Sequence, residues 1–98
     1  MRELYQLIVA TVCRVTGFSE VQIIHDRHQL CTDARHLLVH LLAEQMPCHQ
    51  IAHYTGLSKQ CVSQCANRYA DRKRFNRSLQ LAEEEVTNIL NLDPLSKK

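Results

Sequence analysis

The sequence predicts an all-α domain of five to six helices with a central helix-turn-helix, and three observations carry that expectation. Only two glycines and two prolines punctuate the 98 residues. The apolar residues between them recur at spacings of three and four, with no sustained alternation of the kind a strand requires. Within residues 48–69, Ala52, Gly56 and Val62 fall at the offsets that let a small residue admit a crossing helix, a glycine make the bend and a valine pin the second helix to the first.

Each element follows from local chemistry. Leu4, Ile8, Val12 and Val15 form one stripe of a first helix, with Leu7 and Thr11 beside it, and Gly17 is placed to stop it. Phe18 then returns the chain to the core. Ser19 caps a short second helix containing Val21, Ile23 and Ile24, and Gln22 completes a capping box. The polar run from His25 to Leu30 reads as a loop.

Thr32 or Asp33 is expected to cap a third helix, the central one, whose Ala34, Leu37, Leu38, Leu41 and Leu42 make a broad buried face. His36 and His40 then turn away from that face toward solvent. Pro47, tolerated in a first helical turn, separates this helix from the first helix of the central motif. Ser58 caps the motif's second helix, expected to reach about Lys73. The chain turns again over residues 74–78, and Asn76 or Ser78 caps a last helix buried through Leu79, Ala82, Val86, Ile89 and Leu90. The domain is expected to span residues 1–92, with a frayed tail over 93–98.

The net charge of +2 hides an uneven distribution. Lys59, Arg68, Arg72, Lys73, Arg74 and Arg77 face a single nearby acid, Asp71, while Glu83, Glu84 and Glu85 follow on the last helix. Such polarity suits a protein that turns one face to a polyanion. No apolar run is long enough to cross a bilayer and no signal-peptide pattern opens the chain, so a cytoplasmic location is expected. Five cysteines, an odd number placed within helical patterns, read as reduced and mostly packed.

Three pairs, His36 with His40, His49 with His53 and Cys61 with Cys65, have the four-residue spacing that puts two ligands on one helical face. They lie on different helices and no Cys-x-x-Cys accompanies them, so neither a metal nor any other cofactor is expected. Cys61 and Cys65 fall on the side of Val62, toward the partner helix. Nothing marks a catalytic cleft, a strained nucleophile turn or an oxyanion loop, and neither an enzyme nor a small-molecule substrate is expected.

Taken in order, Val15-Thr16-Gly17-Phe18-Ser19, Asp26-Arg27-His28, Ala34-Arg35-His36-Leu37, Met46 through Ala52 and Val62 through Arg68 resemble the C-terminal DNA-binding domain of the bacterial replication initiator DnaA. The likeness covers roughly residues 5–90, and the same fold group includes the tryptophan repressor. It implies a minor-groove arginine at Arg27, with His28 beside it, and a second basic contact at Arg35. The family opens its recognition helix with Arg-Asp-His-Ser/Thr-Thr-Val; here Leu57-Ser58-Lys59-Gln60-Cys61-Val62 keeps only the valine. The architecture is therefore what the likeness implies, not the family's origin-box specificity. A phosphate loop is absent, because Gly17 and Gly56 are the only glycines.

The expected function is sequence-specific binding of double-stranded DNA. Ser58, Lys59, Gln60, Ser63, Gln64, Asn67 and Arg68 lie on the outer face of the motif's second helix, where glutamine and asparagine suit adenine and lysine suits guanine. Arg68, Arg72, Lys73, Arg74 and Arg77 are phosphate candidates, of which two or three are expected to matter. Two alternatives fit the same residues. One is a homodimeric transcriptional regulator like the tryptophan repressor, with the leucine-rich first and third helices as its interface. The other is a protein-interaction module that kept the fold and lost DNA binding. The partners expected are duplex DNA, a second copy or a replication or regulatory protein; with the DnaA likeness, the location becomes the bacterial nucleoid.

Overall fold

In a computed structural model, which describes residues 2–90, the chain is all-α. Its six helices there are α1 (Arg2–Thr16), α2 (Glu20–His25), α3 (Gln29–Ala43), α4 (Cys48–Thr55), α5 (Lys59–Arg74) and α6 (Arg77–Leu90). The tail expected over residues 93–98 lies outside the described residues. None of these helices is long and apolar enough to cross a membrane.

Helix α3 is the axis of the fold and packs against each of the other five helices. Its leucines Leu37, Leu38, Leu41 and Leu42 are buried, and so is Val39, which the one-sided stripe left out. Around it gather Ile8 and Val12 from α1, Ile23 from α2, Ile51 from α4, Val62 from α5, and Leu79 and Val86 from α6. Removing so much aliphatic surface from water is the main force for compaction. Helix α6 returns to pack along α1.

The local punctuation works as its chemistry dictates. Gly17 and Gly56 both adopt φ near +80°, at 83° and 80°, a conformation that costs a residue with a Cβ about 1–2 kcal/mol. Ser19 accepts from the Gln22 backbone N–H and Gln22 Oε1 accepts from that of Ser19, closing the capping box. Ser58 Oγ accepts from the Cys61 N–H at 3.0 Å, and Asn76 Oδ1 from the Leu79 N–H at 3.0 Å. Asn76, rather than Ser78, thus caps α6. Pro47 occupies the N-cap of α4, one position before the first helical residue.

Three expectations about α3 are corrected. The helix begins at Gln29, so Gln29 and Leu30 belong to it, not to a loop; its N-cap is His28, whose Nδ1 accepts from the Leu30 N–H at 3.1 Å. Asp33 is a buried carboxylate, not a cap. It accepts from Arg72 at 2.7 Å and from Asn76 at 3.0 Å. Finally, His36 and His40 do not face solvent. His36 is 7% exposed and its Nδ1 lies 2.8 Å from the Thr32 carbonyl. His40 is half-buried and stacks on Tyr69 with ring centroids 4.3 Å apart. A helix enclosed by five others has almost no outward face, which is why a one-sided stripe misplaced both rings.

Candidate nucleic-acid interface

Helices α4 and α5 are joined by three residues, 56–58, and the joint is fastened from both ends. Thr55, buried, donates its hydroxyl to the Ile51 carbonyl at 2.7 Å and accepts from the Leu57 N–H at 3.2 Å. Gly56 supplies the left-handed residue, and its N–H closes α4 on the Ala52 carbonyl at 2.9 Å. Cys48 adds a cross-link, with Sγ 3.5 Å from the Lys59 carbonyl oxygen and 3.8 Å from Ser63 Oγ. The Tyr5 ring, stacked on Tyr54 at 4.9 Å, ties α4 to α1.

The inward side of α5 carries Val62, Cys65 and Tyr69, all buried, with Cys61 and Ala66 half-buried at its margins. Burial pushes the Cys65 thiol up to about 11, so it stays protonated at neutral pH and acts as a small apolar group. Tyr69 is held more firmly still. Its hydroxyl donates to Glu83 Oε1 at 2.6 Å, and burial together with that carboxylate raises its pKa well above the ordinary tyrosine value. Glu83 also receives Lys73 Nζ at 3.0 Å. Burial alone would raise the Glu83 pKa, but the bonds from Tyr69 and Lys73 outweigh it and leave the carboxyl below its usual range.

The outward side is different. At about 100° per residue, Lys59, Gln60, Ser63, Gln64, Asn67 and Arg68 occupy one half of the helix circumference. All six are exposed. Apart from the long Cys48–Ser63 contact, their side chains make no hydrogen bond or ion pair among the described residues. Ser58 is exposed as well, but its hydroxyl is occupied as the cap.

The remaining candidates divide. Arg27 is exposed on the α2–α3 link, with no bond to a described residue, while His28 beside it spends one ring nitrogen on capping α3. Arg35 is committed to the fold: Nε donates to the Ile23 carbonyl at 2.8 Å, and a guanidinium nitrogen donates to the Asp26 carbonyl. These two bonds tie the α2–α3 link, which carries Arg27, to the start of α3. Of the five phosphate candidates, Arg72 pairs with Asp33, Lys73 with Glu83, and Arg74 with Asp71 at 3.3 Å, leaving Arg68 and Arg77 without a partner among the described residues. His49 and His53, considered in the sequence only as a ligand pair, are exposed on α4.

Among the described residues, no group of three or more His, Cys, Asp or Glu side chains is placed to hold a metal ion. The five cysteines are free thiols. Scanned against models of known protein families, and compared with curated proteins and with solved structures, the chain matches none.

Proposed function

We propose that this chain is a sequence-specific binding domain for double-stranded DNA, with α4 and α5 as its helix-turn-helix. In this reading the first half of α5 enters the major groove, and Arg27 approaches the adjoining minor groove from the α2–α3 link. Arg35 serves as a positioning residue for that link. The observation that carries the reading is the uncommitted polar half of α5: Lys59, Gln60, Ser63, Gln64, Asn67 and Arg68 are exposed together on a helix anchored firmly by its other side. Base-reading side chains must be available, and a merely solvated face leaves them so too; what adds to availability here is the mixture of amide and cationic groups on one half of a helix that follows a three-residue turn.

The sequence likeness to the DnaA domain supports this reading, with a different site read, since the family's signature is replaced over residues 57–61. Binding alone is the mechanism, without ATP hydrolysis by this chain. A location with the chromosome follows, in replication or in transcriptional control. For a dimer through the leucines of α1 and α3, Leu37, Leu38, Leu41 and Leu42 are taken up by the core, which leaves Leu7 on α1 and Leu30 on α3 exposed.

Selection from random duplexes at two salt concentrations tests the proposal. An enriched sequence is expected, with affinity that falls as salt rises. The cations without partners among the described residues at the site, Arg27, Lys59 and Arg68, set the slope of log K against log salt at no steeper than about −3. Failure to enrich any sequence, together with no binding at low salt, sinks the reading.

A further inference from the structure

The polar half of α5 is not uniform. Successive residues of an α-helix turn by about 100°, which puts Gln60 and Asn67 within about 20° of one another and Gln64 within about 60° of both. Val62, Cys65 and Tyr69, the buried residues of the helix, lie on the opposite side. The three carboxamides therefore form the crest of the exposed face. Lys59 and Arg68 stand about 90° to either side of that crest. All of these side chains are exposed, and none makes an ion pair among the described residues. The next residue along the crest, Asp71, is bonded to Arg74, so the row of free amides ends at Asn67.

Such an arrangement divides the work in a major groove. The groove is about 12 Å wide and a helix with its side chains about 10–12 Å across, so the crest meets the floor, where base edges lie, and the flanks meet the phosphate walls. A carboxamide offers one donor and one acceptor side by side. Adenine offers the complement, an N7 acceptor beside an N6 donor, whereas guanine presents two acceptors, N7 and O6, and leaves the carboxamide oxygen without a donor. Resting on the duplex-binding reading above, we propose that Gln60, Gln64 and Asn67 each read an adenine, on either strand, while Lys59 and Arg68 bind phosphates on the two walls. From Gln60 to Asn67 the helix rises about 10 Å, or about three base-pair steps of 3.4 Å, so the adenines fall within a core of about four base pairs. Lys59 is thereby moved from guanine reading, which its residue type alone suggested, to holding the helix in register.

Single 7-deazaadenine replacements test this in the duplex enriched from the random pool, because they delete N7 and leave both Watson–Crick pairing and the protein untouched. Fluorescence anisotropy is expected to show three adenines, within about four consecutive base pairs, at which the replacement weakens binding at least roughly 5-fold. Gln60→Ala, Gln64→Ala and Asn67→Ala are each expected to weaken binding to the unmodified duplex by a similar factor and to abolish the sensitivity at one of those adenines. Lys59→Ala and Arg68→Ala are expected instead to make the slope of log K against log salt shallower by about 1 each and to enrich the same sequence as wild type. An enriched core without adenine, or replacements that cost nothing, overturns the adenine assignment while duplex binding stands. A changed sequence preference in Lys59→Ala overturns its placing on a phosphate. If no duplex is bound at low salt, the duplex-binding reading falls and this inference with it.

Discussion

The two halves of α5 have similar polar content and opposite fates. From Lys59 to Arg68, the outward side chains leave the helix and, apart from the long Cys48–Ser63 contact, make no hydrogen bond or ion pair in the described chain. From Tyr69 to Arg74, nearly every polar group is engaged: Tyr69 and Lys73 with Glu83, Arg72 with Asp33, Arg74 with Asp71. The second half therefore works as an anchor that clamps α5 against α3 and α6, and the first half projects from that anchor. A run of cations in a sequence measures charge, not availability. Three of the four late cations are answered within the fold, two of them by acids on other helices.

The strongest way to break this division is to remove an anchor. Arg72→Ala leaves the Asp33 carboxylate, only 11% exposed, with Asn76 and a long 3.5 Å contact from Gln29. Uncompensated buried charge is costly, so a loss of about 3 kcal/mol is expected in urea unfolding, with duplex affinity unchanged at temperatures where the variant is folded. Gln64→Ala sharpens the comparison from the other end. Its stability should stay within about 0.5 kcal/mol of wild type, while affinity for the selected duplex falls by about 1–3 kcal/mol if a bidentate base contact is lost. Fluorescence anisotropy beside thermal melting separates the two effects. If Gln64→Ala destabilises the fold while Arg72→Ala weakens binding alone, the assignment of the halves is reversed.

The same contrast shows what the sequence could and could not disclose. Ser19 with Gln22, Ser58, Gly17 and Gly56 act through atoms only a few residues away, so spacing alone identified them, and it narrowed the cap of α6 to Asn76 or Ser78. The anchor was invisible because Asp33 finds Arg72 and Asn76 at separations of 39 and 43 residues. Locally, an aspartate ahead of an apolar run looks like a cap. His28 escaped notice in the role Asp33 had been given, since histidine is a rare N-cap. Arg35 illustrates the limit for the site: an exposed cation and one bonded to two carbonyls have the same signature in sequence.

Acid probes the core side of the anchor. Burial, the largest cause, with help from the Arg72 and Arg35 charges, lowers the His36 pKa below the ordinary 6.5, although its Thr32 bond and, more weakly, Asp33 act to raise it. Below pH 6.5 the unfolded chain takes up a proton that the folded chain refuses, so stability falls with pH until the folded value is reached. Glu83 has its own window. Its depressed pKa gives stability that is complete above the ordinary 4.5 and is lost as pH falls through the lower folded value. His36→Gln should therefore flatten the urea midpoint against pH just below 6.5 and leave the more acidic loss in place. A slope unchanged by the substitution would remove His36 as its source.

Arg74 provides the smallest effect and a discriminating one, because it lies in the anchoring half without anchoring anything of consequence. Its bond to Asp71 joins side chains 63% and 79% exposed, three residues apart on one helix. Solvent screening and the entropy of fixing two long side chains leave such a pair worth little, so Arg74→Ala should change stability by less than about 0.5 kcal/mol. In duplex binding it should also cost less than Arg68→Ala, because Arg68 lies in the projecting half and Arg74 a turn and a half beyond it, with its charge partly answered by Asp71. Equal losses for the two variants would mean that the phosphate-contacting surface runs the full length of α5, and the division between projecting and anchoring halves would then hold for the buried side alone.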